Sequence, residues 1–180
     1  MEDLSLHLLD LLQNAVRADA KNIEVSVTED ALGNRLTLCV KDDGYGMDAA
    51  TVACAAVARF TTKQDGAGGQ GLTLLKESAE LAGGGLFIKS VPKQGSEITA
   101  TFVLNHPNRK PLGDIAGTFT FTIASYPKLH FILNYQKNDL PAYRFDTNEL
   151  YAIMDGYSIQ CPEMIISIKE MIKENIEEHN

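Results

Sequence analysis

The sequence predicts an α+β fold with helices packed on one face of a mixed, mostly antiparallel sheet. Three observations carry that expectation: a leucine period at helical spacing near the start, two pairs of alternating runs each joined by a turn, and helical stretches between those pairs. Residues 3–18 read as the first helix, because Leu4, Leu8, Leu11 and Ala15 recur on one face. Residues 22–28 alternate strictly, with Ile23, Val25 and Val27 on one side and Glu24, Ser26 and Thr28 on the other, as in a half-buried strand. A turn at Gly33-Asn34 leads into a second strand over 36–42. An Ala-rich helix is expected over 49–58, then a polar loop with four glycines over 61–71. The next helix runs from Leu72 to Leu81 and is closed by Gly83-Gly84-Gly85. Strands over 86–91 and 97–104 follow, joined by Pro92-Lys93-Gln94-Gly95.

The Pro-rich stretch 106–114 marks a boundary between a domain over 1–108 and an extension over 109–180. Residues 114–125 fit two readings equally. One is a helix capped by Asp114 with Ile115, Phe119 and Ile123 on one face; the other is a strand in which Phe119, Phe121 and Ile123 alternate with threonines. Residues 129–136 and 142–147 read as a hairpin around Lys137-Asn138-Asp139, and Asp146 with Glu149 as a capping box for a short helix. Pro162 opens a last helix over 163–178, with Ile165, Ile168, Ile172 and Ile176 on one face. Its simplest role is to pack on its own domain; a partner or dimer surface is the alternative.

A chain of 180 residues can bury one sizeable core. A composition of 44% hydrophobic and 22% charged residues is that of a soluble globular protein. The net charge of −8 repels phosphate backbones, so nucleic acid is not expected as a main partner. No apolar run approaches the roughly 20 residues of a membrane helix. The first residues are acidic where a secretory signal is basic. Three cysteines, Cys39, Cys54 and Cys161, without CxxC spacing argue against a disulfide framework or a zinc site and point to the cytoplasm. Cys39 lies in an apolar run and reads as a core residue.

Asp10 and Asn14 are four apart on the first helix, so they share a face about 40° apart. An amide oxygen can ligate a hard cation while a neighbouring carboxylate orients a hydrolytic water. From the spacing alone, two solvated polar residues is the commoner reading. Residues 42–48, DDGYGMD, leave a strand end with Gly44 and Gly46 at alternate positions, where the backbone can turn sharply and approach a ligand. Asp42 is placed to accept a hydrogen bond from an amino group, such as a purine's. Residues 59–72, RFTTKQDGAGGQGL, combine Lys63 with four glycines ahead of a helix, a pattern that suits an anion site; a flexible surface loop is the alternative. It is not a Walker A loop, since GKS and GKT are absent, nor a Rossmann turn, since no strand feeds it.

Taken in order, these segments resemble the superfamily of ATPases and kinases that includes DNA gyrase B, the ninety-kilodalton heat-shock chaperone, sensor histidine kinases and MutL. LLDLLQNAVRADAKNIEV resembles the family's N box and DDGYGM its first glycine box. The run from Arg59 to Leu104 is most like the distal half of a sensor-kinase ATPase domain. The likeness covers residues 4–104. It implies a Bergerat-type two-layer sandwich binding ATP with Mg²⁺. Asn14 would ligate magnesium, Asp42 would bind the adenine amine, Gly44 and Gly46 would form the turn, and Ser96 would support it. Met47 would pack near the base and Arg17 lie near ribose or phosphates. Thr62, Lys63 and the backbone of Gly69, Gln70, Gly71 and Leu72 would hold the phosphates. Asp10 stands where gyrase and MutL carry a glutamate as general base. It is one methylene shorter, which predicts slow or absent hydrolysis. The lid reads GGQGL where sensor kinases usually show GTGLGL.

Only about three residues precede the first helix, and no phosphoacceptor motif surrounds His7, His106, His130 or His179. His7 lies inside the Asn14 helix, either beside Asp10 or exposed. The expectation is a Mg-ATP-binding regulatory ATPase or kinase acting on a separate protein partner, with a non-catalytic nucleotide sensor as the alternative. The oligomeric state is left open.

Overall fold

The computed structural model describes residues 2–55, 71–154 and 156–178. Helix α1, Leu4–Arg17, is followed by strands β1, Asn22–Asp30, and β2, Arg35–Asp42. Helix α2 covers Ala49–Ala55 and α3 covers Gly71–Leu81. Strands β3, Gly85–Val91, and β4, Gly95–Val103, precede helix α4, Ile115–Ser125. Strands β5, His130–Lys137, and β6, Tyr143–Asp146, lead to helices α5, Thr147–Ile153, and α6, Pro162–Glu178.

These strands form one six-stranded sheet in the order β3-β4-β2-β1-β5-β6. Every neighbouring pair is antiparallel except β1 with β5, which run parallel with Asn22 opposite His130 and Val25 opposite Leu133. The expected mixed, mostly antiparallel sheet is therefore present. Alternation decides its faces. Val25, Leu38, Ala100 and Leu133 are fully buried on one side, beneath the helices. Glu24, Ser26, Thr37, Cys39, Thr99 and Asn134 occupy the other, half-buried side.

Cys39 is thus not a core residue. It alternates with buried Leu38 and Val40, and its Sγ accepts a hydrogen bond from Thr99 Oγ1 at 3.4 Å. Burial pushes its thiol pKa up.

The helical layer is built from faces visible in the sequence. Leu4, Leu8, Leu11, Leu12 and Ala15 bury one side of α1, and Asp3 caps it by accepting from the Leu6 N–H at 3.1 Å. Helix α3 ends in a Schellman close: the Gly84 N–H reaches Ala79 O at 2.8 Å and the Gly83 N–H reaches Glu80 O at 3.0 Å.

Residues 114–125 resolve as a helix. Asp114 Oδ1 accepts from the Gly117 N–H at 2.8 Å, and Thr122 Oγ1 donates back to Thr118 O, so the β-branched run is satisfied locally. Phe119 packs edge-on against Phe131 and Phe145, with ring centroids 6.1 and 5.8 Å apart.

Helix α4 packs against α1, and α6 against α4. Ile168, Ile172 and Ile176 of α6 join the same hydrophobic cluster as α1. Asp146 caps α5 by accepting from the Asn148 N–H, but Glu149 turns to Arg144 at 2.7 Å, so only half of the expected capping box forms. No helix among the described residues is long and apolar enough to cross a membrane.

Candidate functional site

The antiparallel register of β2 with β4 sets Asp42 opposite Ser96 at one end of the sheet. Asp42 is 8% exposed. Its Oδ1 accepts from the Gly44 N–H at 2.8 Å. Burial pushes its carboxyl pKa up, against backbone hydrogen bonds from Gly44 and Ser96 that pull it down, and burial prevails. A buried carboxylate with one oxygen held and the other not bonded to Gly44 can accept from an incoming amino group.

The loop after Asp42 is tied down on both sides. The Tyr45 N–H donates to Ala18 O, just past the end of α1, at 2.9 Å. A Cβ on Gly44 would lie 2.6 Å from that same oxygen, so only glycine lets the loop pass this close to α1. Gly46 has φ +65°, and a Cβ there would strike the carbonyl of Val91. The Met47 N–H donates to Ser90 Oγ at 2.7 Å, and Ser90 Oγ lies 2.9 Å from Ser96 Oγ. Met47 and Ser90 also line an open cleft of about 590 Å³ between α2 and β3, with Val52, Ile88 and Pro92. Asp42 is not among its lining residues, so the cleft adjoins the carboxylate's surroundings and does not coincide with them.

On α1, Asp10 and Asn14 are half-buried and Arg17 is exposed. Asp10 sits against the first residue of α3: a Cβ on Gly71 would lie 2.8 Å from Asp10 Oδ2. Burial pushes the Asp10 pKa up, and the Arg17 charge only partly offsets it. Asn14 Oδ1 accepts from Arg17 Nη1 at 3.1 Å, and Arg17 Nη2 donates to Gln13 at 3.1 Å. Leu72 is half-buried on the first turn of α3 and packs against the core. Contacts therefore run unbroken from Gly71 through Asp10, along α1 to Ala18, and on to Gly44, Asp42 and Ser96. Thr62, Lys63, Gly69 and Gln70, with the rest of 56–70, lie outside the described residues.

Among the described residues, no group of three or more His, Cys, Asp or Glu is placed to hold a metal ion. His7 is buried, and neither ring nitrogen has a hydrogen-bond partner. Desolvation, with the Lys110 charge, lowers its pKa to about 4.

The sequence assigns no site role to Ala18, Asn22, Asp43, Ser90 or His130, all of which hold the loop or its partners. Asp43 accepts from the Lys21 and Asn22 N–H groups at 2.7 and 2.9 Å and from Asn22 Nδ2 at 2.6 Å. The doubled acid of DDGYG is the one signal that marked this position. His130 opens β5, where the sequence suggested the hairpin, and no local pattern pairs it with Asn22.

Residues 2–106 match the family model described as histidine kinase-, DNA gyrase B-, and HSP90-like ATPase. Over 99 residues, 53% of this chain, the sequence is 35% identical to sensor histidine kinase YvrG of Bacillus subtilis (strain 168). Over 106 residues, 59% of the chain, it is 30% identical to sensor histidine kinase ZraS of Escherichia coli O157:H7. The matched stretches make up 17% and 23% of those relatives' lengths. A crystal structure of the N-terminal domain of a DNA repair protein superposes with a TM-score of 0.58 at 14% identity, over 89% of this chain and 55% of that one. That likeness is one of fold. The chain belongs to the histidine kinase-, DNA gyrase B- and HSP90-like ATPase family.

Proposed function

We propose that the chain binds ATP with magnesium between α1, the loop 42–48 and the start of α3, and acts on a separate protein as a regulatory ATPase or kinase. The observation that carries this reading is the contact path from Gly71 through Asp10 and α1 to Asp42. That path links a buried carboxylate, an amide oxygen and the first residue of α3, which supports the reading.

In this reading Asp42 accepts from the adenine amino group, with Ser96 beside it. Gly44 and Gly46 let the backbone approach the base, and Met47 packs near it. The N–H groups at the start of α3, from Gly71 and Leu72, face the phosphates, where the helix dipole favours negative charge. Thr62, Lys63, Gly69 and Gln70 complete that contact, and Arg17 lies near ribose or phosphate. Asn14 is the magnesium ligand. The donor set fits an ion that arrives with the nucleotide, because Asn14 offers one neutral oxygen and the remaining positions fall to phosphate and water. Bound there, magnesium would neutralise phosphate charge. Asp10 serves as the general base; its raised pKa makes it a stronger one, while its short side chain limits its reach. The names of the relatives, sensor histidine kinases, support a phosphoryl-transfer role with a partner protein. Free Cys39, Cys54 and Cys161 fit a cytoplasmic setting.

The second reading, a nucleotide sensor without turnover, is favoured by the position of Asp10 against Gly71, where its carboxylate already faces the helix N-terminus. Incubation with Mg-[γ-³²P]ATP separates the two. Released phosphate that Asp10→Ala abolishes supports the enzyme. Nucleotide binding with no phosphate release, unchanged by Asp10→Ala, overturns the ATPase reading.

A further inference from the structure

A chain of side-chain hydrogen bonds joins the C-terminal segment to the loop that carries Asp42. Parallel pairing of β1 with β5 sets His130 beside Asn22. His130 Nε2 lies 2.8 Å from Asp146 Oδ1, and Nδ1 lies 2.9 Å from Asn22 Oδ1. Asn22 Nδ2 donates to Asp43 Oδ2 at 2.6 Å, which turns its amide oxygen toward the ring. Both atoms facing the imidazole are therefore acceptors.

The far end is fixed as well. Asp146 caps α5 and takes Arg144 Nη2 at 2.6 Å, and Arg144 is held in turn by Glu149. At the near end, Asp43 also accepts the Lys21 and Asn22 N–H groups. These hydrogen bonds outweigh the opposing effect of burial and hold its carboxyl pKa below the usual range. Asp43 directly follows Asp42, so what fixes its carboxylate fixes the backbone entering the glycine turn. A strictly local turn would need no partner from a strand more than a hundred residues away.

We propose that His130 is a positioning residue for nucleotide binding: clamped by Asp146, it holds Asn22 and through it Asp43, so that the C-terminal strands brace the Asp42 loop. This rests on the nucleotide reading above. It gives residues beyond the family match a part in the site without any contact to ligand.

The test is isothermal titration of the full chain with Mg²⁺ and a non-hydrolysable ATP analogue. His130→Ala is expected to weaken affinity about fivefold to tenfold, the loss of one bracing hydrogen bond. In an Asn22→Ala background the same change should have less than about a twofold effect, since the path is already cut. Lys169→Ala, which removes the Lys169–Asp114 pair elsewhere in the extension, should leave affinity unchanged. Asp146→Asn keeps a capping side chain on α5 and so serves if His130→Ala does not fold; it should weaken affinity in the same direction. Wild-type affinity in His130→Ala, or equal losses with and without Asn22, overturns the proposal.

If the unmodified protein shows no nucleotide binding, the functional reading fails, and amide exchange decides the bracing on its own. Faster exchange of the Lys21 and Asn22 N–H groups in His130→Ala supports the brace, and unchanged exchange overturns it.

Discussion

Replacing Asp42 with asparagine exchanges one carboxylate oxygen for an amide nitrogen and leaves the shape almost unchanged. The asparagine carbonyl can keep the 2.8 Å hydrogen bond from the Gly44 N–H. Its amide nitrogen then faces the purine amine, donor against donor. The lost hydrogen bond to a charged acceptor is worth about 1.5–3 kcal/mol, and a buried donor left unsatisfied costs about 1–3 kcal/mol more. Together that is roughly 2.5–6 kcal/mol, or a loss of about sixtyfold to twenty-thousandfold in affinity.

Stability should move the other way. Burial raises the Asp42 pKa in the folded state, so the native protein binds this proton more tightly than the unfolded chain. Stability therefore falls as pH rises from the unfolded value of about 3.9 to the native one, and stays lower above it. Asparagine removes that loss. At neutral pH the ligand-free variant should melt at or above the wild-type temperature while binding of a non-hydrolysable ATP analogue collapses. Two assays check it, a thermal melt without ligand and a calorimetric titration. Affinity within about threefold of wild type would refute the assignment of Asp42. A melting temperature well below wild type would refute the account of its burial.

Three further outcomes follow from the same geometry. Gly46→Ala forces a left-handed backbone on a residue with a Cβ, at about 1–2 kcal/mol, and drives that Cβ into the Val91 carbonyl; urea unfolding should show a loss of at least about 2 kcal/mol, together with weaker nucleotide binding. Asn14→Ala should leave magnesium-free binding intact and abolish the gain in affinity that magnesium confers, measured by titrations with and without EDTA. For His7, the folded pKa of about 4 lies below the unfolded value of about 6.5, so the unfolded chain binds the proton first and stability is lost as pH falls through that window. His7→Leu should flatten this part of the pH–stability curve, and melts between pH 4 and 7 will show whether it does.

The elements that sequence marks most clearly are those whose burial has a simple period. Leu4, Leu8, Leu11 and Ala15 locate α1 and its buried face, and Ile23, Val25 and Val27 do the same for β1, because one helix or strand against one core needs only one periodic stripe. Cys39 reads as core because Leu38 and Val40 flank it, yet it shares the period-two phase of the polar Thr37, and the structure puts both on the half-buried face. Residues 114–125 satisfied both periods; the Asp114 cap and the Thr122 hydroxyl bonded inside its own helix decide for α4. Glu149 fits the capping-box spacing, yet the cation Arg144 is a stronger partner than a backbone N–H. His7 carries no sign of burial in its own chemistry, and its unpaired nitrogens emerge only from the packing.

The site divides in the same way. Asp42, Gly44 and Gly46 are legible because a turn that passes against α1 and Val91 admits no side chain at the glycines. Asp10 and Asn14 are legible as a helical pair, but the contact of Asp10 with Gly71 is tertiary. His130 and Asn22 are joined by a parallel pairing across more than a hundred residues, for which no local pattern exists.

The central claim is that this face of the molecule takes Mg-ATP. Calorimetric titration of the unmodified protein with magnesium and a non-hydrolysable ATP analogue tests it most directly. Saturable binding at one site per chain, with the adenine amine required so that the inosine analogue binds far more weakly, is the predicted result. No heat at millimolar ligand, or equal affinity for the inosine analogue, would contradict it.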